Sequence, residues 1–272
     1  MATAPLKTIE ADWDAAAQAI KTDGFYVIPG ALRQSEVTAT IKAMDKVQRA
    51  IGRHVGQERL EAAGEVGVLR LMMRFDPFFF RFLANPVIAG AVDTILSPTA
   101  VLHLQNGFVL PPAKPEHAAL FQRRWHQDYP RLMNGYLASL NALIAVSDFT
   151  EESGATLVIP GSQQKPRPSD TELEDNALAL TAPAGSLILF DSTLWHCAGV
   201  NHSSQNRMGI NHQFTCSWFK QQIDYPRALG EPAIEALPER SQQMLGYFTR
   251  VPASLDEYYR VGEARLYRSG QG

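Results

Sequence analysis

The chain reads as a mainly β protein: an antiparallel barrel or double-sheet jelly roll with helices packed at both ends. Three observations lead there. From residue 100 onward, short strand-like runs follow one another between Gly, Pro, Ser and Asp, and no helix-length periodic segment interrupts them. Before that point the apolar residues recur at helical spacing, and after Pro232 the texture turns helical again. At 272 residues, with 45% hydrophobic and 19% charged side chains, the chain can bury one sizeable core. We therefore expect a single domain: a helical part over about 1–98, a jelly-roll core over about 99–220 and a helical tail over about 221–272.

Taken in order, EADWDAAAQAIKT (10–22) is alanine-rich and stops at Asp23-Gly24, so it predicts a helix, with FYVIPG following as a short strand. A second helix spans about 34–52, because Val37, Ile41, Met44 and Val47 form one apolar stripe. LRLMMRF (69–75) alternates, placing Leu69, Leu71, Met73 and Phe75 on one face and Arg70, Met72 and Arg74 on the other. That pattern predicts a half-buried strand. DPFFFRFLANPVIAGAVDTIL predicts one or two short helices, with Pro86 placed where a helix can begin. The core strands are AVLHLQNGFVL, RRWHQD, GYLASLNALIAVSDF, ATLVIPGS, SLILFDST and RMGINHQFTCSWF. AIEALPERSQQMLGYF and SLDEYYRVGEARLY then form the helical tail.

Composition excludes several functions. With 25 Lys+Arg against 28 Asp+Glu the net charge is -3, so no positive field favours nucleic acid or an anionic membrane. No apolar run is long enough to span a bilayer, and the start lacks a signal-peptide pattern, so the cytoplasm is the expected compartment. Cys197 and Cys216 cannot build a disulfide scaffold and read as reduced, buried thiols. Composition leaves the oligomeric state open, a symmetric homodimer being the commonest assembly of soluble chains.

Chemistry concentrates in RRWHQDYP (123–130). His126 and Asp128 stand two apart and share one face of a strand, which a solvated strand would also produce. The pair gains meaning from His196, at the end of the apolar strand SLILFDST. Two imidazoles and one carboxylate make the facial triad of a non-haem iron(II) oxygenase, which leaves positions open for cosubstrate and oxygen. Arg207 follows on the next strand, where hairpin pairing is expected to bring it beside the same site as a bidentate clamp for a carboxylate.

Trp125-His126-Gln127-Asp128, the ESGATLVIPGSQ segment at 152–163, the distal His196 and Arg207 together resemble the phytanoyl-CoA dioxygenase family of iron(II)/2-oxoglutarate oxygenases. The likeness runs from about Asp23, with DGFYVIPGAL as its opening, to Phe214. It implies a double-stranded β-helix in which His126, Asp128 and His196 hold iron(II). The cosubstrate 2-oxoglutarate chelates the iron with its far carboxylate on Arg207, and dioxygen converts it to succinate and carbon dioxide. The outcome is oxidation of a C-H bond in a small-molecule substrate, most simply a hydroxylation. The same cofactor chemistry can end in desaturation, epoxidation or ring rearrangement in natural-product biosynthesis. The resemblance also places Asn141, and Gln105 or Asn106, near 2-oxoglutarate. This chain departs from many members at Gln163, where a histidine is common, and at Ala198, where a serine or threonine is common. Asp128 occupies the position a chloride needs in related halogenases, which disfavours halogenation.

The remaining candidates carry weaker signals. Tyr129, Trp195, Arg70, Met72 and His212 are candidate substrate contacts, with core packing or surface solvation as the bland alternative. His54, His103, His117 and His202 have no second ligand at a recognisable spacing and read as core or surface histidines. A different class also fits the ligand set: a cupin-like metal- or ligand-binding protein without redox turnover, in which Arg207 is a structural ion-pair partner.

Overall fold

The protein is described by a computed structural model covering residues 11–114 and 123–271. His117, and Glu10 at the expected start of the first helix, lie outside the described residues. Helix α1 (Trp13–Thr22) starts where the Asp12 side chain accepts from Ala15 N–H at 2.9 Å, and it leads into β1 (Phe25–Ile28). Helix α2 (Gln34–Val55) is closed at its start by Glu36, which accepts from Arg33 N–H at 2.9 Å. It buries Val37, Met44 and Val47 as the periodicity predicts. A short α3 (Gln57–Ala62) follows.

The expected strand over 69–75 is corrected. Only β2 (Val68–Arg70) is extended; Leu71 takes a left-handed φ of 51° and the chain turns into α4 (Met72–Phe75). Alternation was a poor guide because Met72 and Met73 are both buried, which a one-turn helix in the core allows and a half-exposed strand does not. A 3-10 turn (Pro77–Phe82) comes next, and α5 (Pro86–Ala91) is capped by Asn85 with Pro86 at its first position, as expected.

The core strands are β3 (Val101–Leu110), β4 (Ser139–Ala145), β5 (Thr156–Val158), β6 (Leu178–Ala179), β7 (Leu187–Asp191), β8 (His196–Ala198) and β9 (Arg207–Thr215). They form two antiparallel sheets. The large one has the order β1-β7-β4-β9-β3-β2 and the small one β6-β5-β8. Both edges of the large sheet, β1 and β2, come from the N-terminal part of the chain. Between β5 and β6 lies α6 (Asp170–Asp175), whose start is a capping box of Ser169 and Glu172. That Ser-x-x-Glu signal is legible in the sequence. The tail breaks into short pieces: α7 (Tyr225–Leu229), α8 (Glu231–Glu235), α9 (Glu239–Met244) and α10 (Leu255–Tyr258). No helix among the described residues is long and apolar enough to cross a membrane.

Strand alternation gives the large sheet two different faces. On β4 and β9, Leu140, Ala142, Ile144, Ile210 and Phe214 pack in the larger hydrophobic cluster, together with Met44, Phe79, Phe82 and Ile88 from the helices. Leu143 and Ala145 point the other way and join Phe149, Val158, Ile188 and Phe190 between the two sheets. The cavity opens on this second face. Residues of one parity therefore face helices, and residues of the other face the cavity.

Candidate iron and 2-oxoglutarate site

The two histidines meet through the backbone. His126 N–H donates to His196 C=O, and His196 N–H donates back to His126 C=O, both at 3.0 Å. This single antiparallel bridge is the only extended pairing in the expected RRWHQD strand among the described residues, and it adds that segment to the free edge of β8. It sets the imidazoles side by side, with ring centroids 4.3 Å apart. Asp128, two residues on, reaches both. One carboxylate oxygen lies 3.6 Å from His126 Nε2 and the other 3.8 Å from His196 Nε2. Donor atoms of all three residues lie within 4.8 Å of one another, so a single ion can touch each.

Hydrogen bonding fits these groups to a metal. His126 Nδ1 faces Arg124 C=O at 2.7 Å and His196 Nδ1 faces Leu194 C=O at 2.9 Å. A carbonyl only accepts, so each Nδ1 carries a proton, and Nε2 is the ring atom on the Asp128 side. Burial pushes the His196 pKa down to about 4, which keeps this ring a neutral donor at physiological pH. Burial acts in the same direction on His126, but the hydrogen bond and charge of Asp128 outweigh it and its pKa is raised. Burial also opposes ionisation of Asp128, yet its interactions with His196 and His126 and a hydrogen bond from Asn141 leave its pKa lowered, so it is a carboxylate.

Arg207 arrives by a route different from the expected one. β8 pairs with β5 in the small sheet, whereas β9 pairs with β3 and β4 in the large one. No hairpin joins β8 and β9; Arg207 faces the site from the opposite sheet, where it lies across from Leu110. Its guanidinium is 3% exposed, stacks over Phe149 at 4.5 Å from the ring centroid, and has no carboxylate partner among the described residues. Its Nε is buried without a hydrogen bond. Burial lowers its pKa to about 10, which still leaves it cationic at neutral pH. A buried cation without a counterion is costly, and a carboxylate bound in the cavity removes that cost.

The cavity between the sheets measures about 400 Å³. His126, Asp128, His196 and Arg207 all line it, as do Asn106 and Arg70. Asn141 is fully buried behind the metal motif. Its amide donates to Ser192 Oγ at 2.8 Å and to Asp128, and its carbonyl accepts from Asn211 at 2.6 Å. The structure thus gives Asn141 to the Asp128 carboxylate.

Three expected contacts face away. Gln105 and His212 lie on the helix side of their strands, bonded to each other at 3.0 Å, and the His212 ring packs against Phe82 and Phe214. Their parity decides this: His212 falls between Asn211 and Gln213, which line the cavity. Met72 is fully buried on α4, where its sulfur packs beside Gly107. Tyr129 and Trp195 flank the site without lining the cavity. Tyr129 packs edge-on against Phe219, and the Trp195 indole donates to Lys165 C=O at 3.4 Å. His103, read as a core or surface residue, does line the cavity. A β-bulge between Leu102 and Leu104 turns His103 and Leu104 both inward, and a bulge of that kind leaves no mark in the strand pattern.

A jelly-roll core holding two imidazoles, one carboxylate and a buried, uncompensated guanidinium defines a non-haem iron oxygenase that uses 2-oxoglutarate. The chain belongs to the phytanoyl-CoA dioxygenase (PhyH) family, whose model matches residues 20–209. It is similar to the uncharacterized protein Rv1501 of Mycobacterium tuberculosis, with 50% identity over 261 residues covering 95% of this chain and 96% of that one. The dioxygenase andF of Emericella variicolor is 26% identical over 194 residues, covering 68% and 66% of the two chains. Among solved structures, the fold is similar to EctD from S. alaskensis with 2-oxoglutarate and 5-hydroxyectoine, at a TM-score of 0.60 and 21% identity over 73% of this chain and 74% of that one. The enzyme acts with iron(II), 2-oxoglutarate and dioxygen on a small-molecule substrate.

Proposed function

We propose that His126, Asp128 and His196 are the iron ligands and that Arg207 holds the far carboxylate of 2-oxoglutarate, in an enzyme that hydroxylates a C-H bond of a compact free metabolite such as a natural-product intermediate. The observation that carries this reading is the convergence of three metal donors from one sheet and an unpaired buried cation from the other on one cavity of about 400 Å³. When bound, iron(II) with 2-oxoglutarate and dioxygen supplies the oxidising chemistry and releases succinate and carbon dioxide.

The chain's own groups do the positioning. The carbonyls of Arg124 and Leu194 hold the two imidazoles in the donor tautomer. Asn141, itself tied to Ser192 and Asn211, aims the Asp128 carboxylate. Arg207 orients the cosubstrate along the inner face of β9. Leu143 and Phe190 form apolar walls that exclude water from the reacting atoms.

Succinate release with added iron(II) and 2-oxoglutarate tests the assignment. Asp128→Ala and His196→Ala are expected to abolish turnover; undiminished release by either variant rejects the ligand set. The reading extends to a reduced, cytoplasmic setting, supported by the two free buried cysteines. It extends also to a homodimer, in keeping with the exposed apolar side chains Val251, Leu255, Tyr258 and Val261 of the tail. Light scattering on the purified chain reads the oligomeric state directly.

A further inference from the structure

We infer that the substrate is an uncharged molecule bearing a carbonyl or hydroxyl oxygen, held by Arg70 midway along the cavity wall and by His103 at the end away from Arg207. This rests on the proposed iron and 2-oxoglutarate reading and names the substrate class for the same site. Two lines of observation carry it, one from position and one from charge.

Along β3, Leu110 lies opposite Arg207 and His103 stands seven residues earlier. At about 3.3 Å per residue the two ends of this wall are on the order of 20 Å apart. The far carboxylate of the cosubstrate is tied to the Arg207 end, while Asp128, bonded to Asn141 in register with Gln213 and Leu104, lies toward the His103 end, so a substrate held there sits beside the proposed iron ligands. The bulge between Leu102 and Leu104 turns His103 into this end, and its Nδ1 is buried without a hydrogen-bond partner. Asn106 Oδ1, on the same wall, is also buried and unpartnered. Arg70 projects from β2, which pairs Arg70 with Asn106. Its Nε and Nη2 grip the two oxygens of Glu65 at 2.9 and 2.7 Å. The fork is thereby fixed in orientation, while Nη1 makes no hydrogen bond among the described residues. Leu104 and Phe108 complete an apolar surround.

The loaded site is neutral. Iron(II) and Arg207 offset Asp128 and doubly ionised 2-oxoglutarate, and Arg70 is offset by Glu65 at its side. The pKa of His103 is lowered by burial, with Asp128 acting against it, so the ring is neutral at physiological pH. No further charged group lines the cavity among the described residues. A carboxylate or phosphate entering this part of the cavity would meet no uncompensated cation and would be desolvated at a net cost, whereas a neutral oxygen loses less on desolvation and can accept from Arg70 Nη1 or from the buried His103 ring.

The experiment is an anaerobic titration of the full chain loaded with iron(II) and 2-oxoglutarate, following the visible iron-to-2-oxoglutarate band. The probes are benzylacetone and hydrocinnamate, which share a skeleton but end in a ketone and a carboxylate. The ketone is expected to perturb the band and bind roughly tenfold or more tightly than the carboxylate. Glu65→Gln, which frees the charge of Arg70, should shift that preference toward the carboxylate by roughly tenfold, a gain that misfolding cannot imitate. If Glu65→Gln does not fold, Arg70→Met is the substitute, with ketone binding weakened at least about fivefold and the band intact. The inference is overturned by equal or tighter carboxylate binding in the native chain, by a ketone that leaves the band unmoved, or by a preference that neither variant changes. If the band does not form before any probe is added, the iron and 2-oxoglutarate reading fails instead.

Discussion

Replacing Arg207 by methionine should separate binding from stability, with opposite signs. The guanidinium is 3% exposed, stacks on Phe149 and has no counterion, so the fold without cosubstrate bears the cost of a buried, uncompensated cation. Methionine fills much the same volume without that cost. The loss of the stacking contact, about 0.5–2 kcal/mol, is then offset by relief of desolvation. The melting temperature of the metal-free variant should therefore stay within about 5 °C of the native value, at about 2–4 °C per kcal/mol for a chain of this size. Binding of 2-oxoglutarate should suffer. Removing one partner of a buried ion pair costs about 3–5 kcal/mol, which is roughly 100-fold or more in dissociation constant. Anaerobic titration with iron(II) present gives the affinity, and thermal unfolding without metal gives the stability. An affinity within threefold of native, or a fall in melting temperature of well over 5 °C, would refute the reasoning, because either makes Arg207 a structural residue.

Further outcomes follow from the same geometry. Asn141→Ala should lower iron affinity by roughly 10- to 100-fold, because it frees the Asp128 carboxylate from its orienting amide; chelator competition measures this. His212 has its pKa pushed down to about 4 by burial, so between pH 6.5 and 4 the unfolded chain binds a proton that the folded chain refuses. Stability of the metal-free protein is then full above pH 6.5 and falls as the pH drops toward 4, by about 3 kcal/mol for this one residue. His212→Phe should flatten that slope in urea titrations at pH 7.5 and 5. Gly154 has φ 77°, and a Cβ there would sit 2.9 Å from Asn201 N and Gly199 O. Gly154→Ala should cost about 2–4 kcal/mol in unfolding free energy and disturb the strand that carries His196.

How legible the molecule was depends on the range of the signal. β4, β7 and β9 were readable because each is a continuous apolar or alternating run between turn residues, and α2 because its stripe keeps one period over many turns. The triad was readable because the side chains that can donate to iron are few and their order along the chain is recognisable. Arg70–Phe75 misled because alternation over so few residues fits both a strand and a buried one-turn helix, and only packing against the sheet decides between them. Gln105 and His212 misled for another reason: a polar residue on a buried strand gives no sign of which face it occupies. Here both face helices, bonded to each other, with the His212 ring packed on Phe82.

By itself, then, the sequence determined the residue chemistry: which groups can hold iron, which cation can take a carboxylate, and that short strands must build the scaffold. Tertiary structure alone decided the addresses. It bridged His126 to His196 backbone to backbone, brought Arg207 in from the facing sheet, gave Asn141 to Asp128, and used a bulge to turn His103 inward. The physical reason is that donor chemistry resides in single side chains, whereas facing and register arise from pairings between segments far apart in the chain, where one residue of slip turns a side chain from cavity to core.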